Sequence, residues 1–143
     1  MIFPGSFLLS YGFYFLEFFS EQILFIRKPE LYQLILKIQK ENKIDSERIY
    51  VTGLSSGGWA SWNLAFAHPD LFAANVPVAG FVDLIQLEHA CEIANIPTRI
   101  FHGLLDDVVN VNYAITIYKE LKKCNAKDVK LTIFDDANHD SWT

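Results

Sequence analysis

A serine, a carboxylate and a histidine occur in this chain in an order and a setting that could activate a hydroxyl group. Ser55 lies in Gly53-Leu54-Ser55-Ser56-Gly57, two acids follow in Leu104-Leu105-Asp106-Asp107, and His139 closes Asp135-Asp136-Ala137-Asn138-His139. A serine hydroxyl is a weak nucleophile until an imidazole takes its proton. The imidazole in turn needs a carboxylate to fix its tautomer and stabilise its charge. The chemistry such a set performs is acyl transfer through a covalent intermediate that water then clears.

The glycines around Ser55 fit the same purpose. In a sharp strand-to-helix turn the nucleophile is held in a strained backbone conformation. The residues two before and two after it, Gly53 and Gly57, then pack so closely that a Cβ would clash. The backbone N–H of Ser56, at the helix start, would face the oxyanion. A chance Gly-x-Ser-x-Gly arises in roughly one chain in twenty of this length, so its value depends on the elements around it.

Those elements alternate. Residues 48–52, Arg-Ile-Tyr-Val-Thr, are β-branched and aromatic and predict a strand, and 56–67 predicts a helix ended near His68-Pro69-Asp70. Upstream, 29–42 reads as a helix with Pro29 in its first turn and Leu31, Leu34, Ile35 and Ile38 on one face. Downstream, 73–79, 98–102 and 129–134 read as strands. Residues 82–94 and 112–124 read as helices, the latter with a stripe of Tyr113, Ile117 and Leu121. Strand–helix alternation implies right-handed crossovers and a mostly parallel sheet of about four strands with helices on both faces, the α/β class. In such sheets reactive residues collect at the carboxyl ends of strands, which is where Ser55, the Asp106–Asp107 pair and His139 fall.

Composition narrows the function classes. The chain has 143 residues, enough for one core, with 51% hydrophobic and 20% charged residues and a net charge of −5. Its basic residues are scattered, which argues against a nucleic-acid partner. Cys91 and Cys124 have no metal-like spacing and read as two buried or half-buried thiols, with a disulfide between them left open. Residues 1–26 hold Phe3, Phe7, Phe13, Phe15, Phe18, Phe19 and Phe25 but no basic residue. This segment therefore lacks a signal peptide's positive start, and its uncharged run is shorter than the roughly 18–20 residues of a spanning helix. Burial against the domain or a partner is favoured over a membrane role, and the compartment is left unassigned.

Three stretches carry a family resemblance: IDSERIYVTGLSSGGWASWNLAFAHPDLFAANVPVAG, IPTRIFHGLLDDVVNV and DANHDSWT. Over residues 29–143 the chain resembles the α/β-hydrolase superfamily, and within it the serine-esterase and predicted-peptidase group that includes feruloyl-esterase-like and polyhydroxyalkanoate-depolymerase-like enzymes. The resemblance implies Ser55 as nucleophile and His139 as general base. It implies Asp106 as the acid, because the pattern His-Gly-x-x-Asp-x-x-Val is met by His102, Gly103, Asp106 and Val109. Asp107 is the local competitor. His102 then reads as structural, in the loop that positions Asp106. Among the remaining aromatic and imidazole side chains, His68 reads as surface, and His89 with Cys91 is no metal pair. Trp142 reads as cleft lining or packing, and Trp59 and Trp62 as core or interface.

The same resemblance marks a departure. Residues 1–28 match none of the strands that precede the nucleophile strand in the family, nor the loop that donates the second oxyanion N–H. The strand at 48–52 is therefore expected to be an exposed apolar edge unless the Phe-rich segment, a second copy or a missing amino-terminal half covers it. Loss of one oxyanion donor typically costs about a hundred- to a thousandfold in rate. The expected function is cleavage of a small-molecule carboxylic ester, or of a peptide, with no metal or organic cofactor. The rival readings are an inactive hydrolase fragment and a module held on a membrane by its aromatic segment.

Overall fold

Each run read above as a strand pairs with the next one along the chain. A computed structural model describes residues 9–10, 13–18 and 28–142. In it β3 (Ile49–Leu54), β4 (Ala74–Val78), β5 (Thr98–Gly103) and β6 (Val129–Phe134) lie side by side and parallel. The registers set Leu54 beside Val78, Val78 beside Phe101, and Gly103 beside Phe134, so all four carboxyl ends reach the same edge.

The Phe-rich segment contributes to this sheet. β2 (Phe13–Phe18) is aromatic enough to favour the strand state and pairs parallel with β3, while β1 (Leu9–Ser10) pairs antiparallel with β2. β3 is therefore an interior strand, rather than the edge, of a sheet that has six strands among the described residues. The readings placed on Phe3, Phe7, Phe19 and Phe25 lie outside the described residues.

The helices are α1 (Lys28–Glu41), α2 (Ser56–Ala67), α3 (Leu84–Glu88) and α4 (Asn112–Lys123). Strand order follows chain order, so every right-handed crossover returns over the same side of the sheet. Leu31 and Ile35 of α1 and Leu64 of α2 accordingly pack on Ile49 and Val51. Trp62 and Ala65 of α2, with Ile117 and Leu121 of α4, enclose Ile100 and Val129. Helices were expected on both faces; among the described residues they cover one. On the other, Val76, Val78 and Phe101 line an open cavity of about 550 Å³ that reaches Trp142.

Two helical stripes are phased differently from expectation. In α4 the buried residues are Ala114, Ile117 and Leu121, while Tyr113 is turned to the rim, edge-on to Phe81. In α1 Leu34 is exposed. The stretch 82–94 is not one helix. Asp83 caps α3 through a reciprocal pair of hydrogen bonds with Gln86, and a separate 3₁₀ turn follows at Ala90–Ile93. That turn packs on α4 and brings Cys91 within 5.1 Å (Cα–Cα) of Cys124, where the two form a disulfide rather than two thiols.

Candidate active site

β3 ends at Leu54 and α2 begins at Ser56, which leaves Ser55 to turn the chain in one residue. Its backbone has φ 56° and ψ −115°, a strained conformation for a residue with a side chain. Two contacts hold it. The Ser55 N–H donates to the carbonyl of Val78 at 2.9 Å, tying the turn to β4. A Cβ on residue 53 would run into the Gly57 backbone, so only glycine permits the close approach. The Ser56 amide is the first of α2, where helical geometry supplies no carbonyl partner and the helix dipole is positive.

Asp106 lies in the loop after β5, its side chain fully buried. One carboxylate oxygen, Oδ1, accepts from the backbone N–H groups of Val108 at 3.0 Å and Val109 at 2.7 Å. Both oxygens face His139 Nδ1, at 3.0 and 2.9 Å. Burial pushes the Asp106 carboxyl up. The hydrogen bonds from His139, Val109 and Val108, with the attraction of the His139 imidazole, outweigh that and hold it below the ordinary carboxylate range. Asp107, the neighbouring acid, points to solvent and contributes its backbone instead.

His139 follows β6, with its side chain 22% exposed. Its Nε2 stands 2.9 Å from Ser55 Oγ, across 84 residues of sequence. The geometry thus brings Ser55, His139 and Asp106 into one hydrogen-bonded row: hydroxyl to Nε2, and Nδ1–H to carboxylate. An imidazole so held can accept the serine proton while its new charge faces a buried anion. Trp142 stands edge-on to the ring, centroids 6.3 Å apart.

Two further residues set this row: Asn138, which the sequence reading did not single out, and Gly103, which it named only as part of the family pattern. Asn138 Oδ1 accepts from the N–H groups of His139 at 2.8 Å and Asp107 at 3.1 Å, stapling the acid loop to the histidine loop. The signal available was an Asn inside a turn, where its side chain commonly captures nearby backbone amides. Gly103 packs so tightly under the histidine loop that a Cβ would meet the carbonyls of Ala137 and Asn138. The other imidazoles lie elsewhere: His68 stacks on Tyr32, and His89 pairs with Glu92 at 2.7 Å. Trp62 is buried in the core and Trp59 stacks on Phe81. Among the described residues no group of three or more His, Cys, Asp or Glu converges as a metal site.

A parallel sheet with a serine at a one-residue strand-to-helix turn, and an acid and a histidine after later strands, is the arrangement of an α/β-hydrolase. Residues 18–143 match the phospholipase/carboxylesterase family, and the chain belongs to it. A curated relative is acyl-protein thioesterase 1 homolog 2 of Dictyostelium discoideum, 26% identical over 125 residues, which are 85% of this chain and 56% of that protein. Among solved structures, a thermostable esterase is 35% identical with a TM-score of 0.69, over 78% of this chain and 29% of that one. Esterase PE8, at 20% identity and a TM-score of 0.66, shares the fold over 78% of this chain and 52% of its own. The chain therefore spans about half or less of the lengths of these proteins.

Proposed function

We propose that the chain is a serine hydrolase that cleaves carboxylic esters through an acyl-enzyme. The observation that carries this reading is the 2.9 Å contact of Ser55 Oγ with His139 Nε2, continued at 2.9 Å from Nδ1 to Asp106. As Ser55 Oγ attacks the acyl carbon, its proton passes to His139 Nε2, and the oxyanion forms in front of the Ser56 N–H. Collapse breaks the ester C–O bond, and Nε2 returns the proton to the departing alkoxide. Water then repeats the sequence on the acyl-enzyme and frees Ser55. The same steps serve a thioester, the bond named in the Dictyostelium relative, and no step calls for a metal or organic cofactor.

The test is intact-mass analysis after incubation with a fluorophosphonate, beside Ser55→Ala. One adduct on the wild type and none on the variant is the expected result. A folded wild type that takes up no probe overturns the reading and leaves a non-catalytic hydrolase domain.

A further inference from the structure

We infer that His102 is a positioning residue for this reaction, holding the Asp106 carboxylate through the loop that carries it; this rests on the reading of Ser55, His139 and Asp106 above. His102 is the penultimate residue of β5, and its side chain is wholly buried. Its Nε2 lies 2.8 Å from the carbonyl oxygen of Val109 and 3.1 Å from Asp106 Oδ2. Both neighbours are acceptors, so Nε2 carries the proton and the N–H donates to the Val109 carbonyl. Among the described residues no hydrogen-bond partner meets Nδ1.

The connections close a ring. Val109 gives its N–H to Asp106 Oδ1 and takes the His102 N–H on its carbonyl, while the His102 nitrogen lies against Oδ2. Oδ1 is fixed by two backbone amides, and Oδ2 is flanked by the imidazole N–H groups of His139 and His102. The carboxylate can then rotate only by breaking several of these contacts together. A wholly buried imidazole is costly where an apolar side chain would fill the same space. That cost is understandable if the single N–H orients the acid.

The variants His102→Gln, His102→Asn and His102→Leu separate positioning from packing. Gln can bring an amide N–H near the place of Nε2; Asn is too short to reach it, and Leu has no donor. In Leu and Asn the fluorophosphonate labelling rate and the kcat for a short acyl ester should fall about threefold to tenfold, the effect of one hydrogen bond between neutral groups. KM should stay within about twofold of wild type, every molecule should still label in time, and Gln should recover most of the rate. Wild-type rates in folded Leu or Asn variants would overturn the inference, as would a Gln variant no faster than Asn. A lower labelled fraction reacting at the full rate would also overturn it, because that marks packing alone. If His102→Leu does not fold, the Gln–Asn pair decides.

The low-field proton resonance of His139 Nδ1–H provides a readout independent of turnover. It should move in His102→Asn and be restored in His102→Gln, even in protein that takes up no probe. An unmoved resonance would overturn the inference about His102. A wild type without probe uptake would overturn only the reading of Ser55.

Discussion

Gly103→Ala tests how the histidine reaches the serine. A methyl group on residue 103 would press into the carbonyl oxygens of Ala137 and Asn138, in the turn that leads directly to His139. That turn is fastened from the other side, since the Leu105 N–H donates to the Ala137 carbonyl at 3.0 Å. Relief requires the turn or the end of β5 to retreat by about 1 Å, and a displacement of that size at a reacting pair can cost about a hundredfold in rate. The Ser55–His139 contact, 2.9 Å in the intact protein, would then exceed hydrogen-bond reach. Overpacking should also cost about 1–3 kcal/mol, which lowers the melting temperature by roughly 3–10 °C. The assay is the second-order rate of fluorophosphonate labelling, measured well below the melting transition of the variant. A folded Gly103→Ala protein labelled at the wild-type rate would show that the β5–turn contact does not place His139.

Other outcomes follow from single contacts. Asn138→Ala removes the oxygen that joins the two loops, and losing two exposed side-chain-to-backbone bonds should slow labelling about 3- to 10-fold with little change in melting temperature; an unchanged rate would dismiss the staple. Reducing the Cys91–Cys124 bridge opens a loop of 33 residues, for which chain entropy gives about 3.7 kcal/mol. Melting with and without reductant should therefore differ by roughly 10–14 °C, and coincident melts with both thiols titratable would refute this. The folded Asp106 carboxyl is held below its unfolded value of about 3.9, so its stabilising contribution is present above that pH and lost as pH falls through the folded value. The gap in urea midpoint between wild type and Asp106→Asn, followed from pH 7 to 2, should narrow below about pH 4. A gap that persists unchanged to pH 2 would contradict the lowered value.

Local sequence carried the elements because each strand-former run and each turn residue acts over a few neighbours. Residues 56–67 and 129–134 are the helix and strand their composition predicts, and the glycines at 53 and 57 mark a turn too tight for a side chain at 53. A parallel sheet then brings the ends of successive strands to one edge, which is why Ser55, the Asp106–Asp107 pair and His139 could be placed together before any distance was known, with Asp106 chosen by the family resemblance.

Other features depended on packing across the sheet. Residue chemistry does not distinguish Asp106 from Asp107, and only the family pattern chose between them; in the structure the amides of Val108 and Val109 and the His139 imidazole hold one carboxylate inward, while the other lies in solvent. Helix phase misplaced Tyr113 and Leu34, since a stripe defined by spacing can be rotated by one residue when the neighbouring surface demands it. The Cys91–Cys124 bridge depends on a 3₁₀ turn meeting α4, an encounter that a separation of 33 residues does not disclose. By itself the sequence determined which residues could do chemistry and at which edge they emerge. The tertiary structure decided which of them touch, because a hydrogen bond is made or lost over a few tenths of an ångström and those depend on every contact beneath the loops.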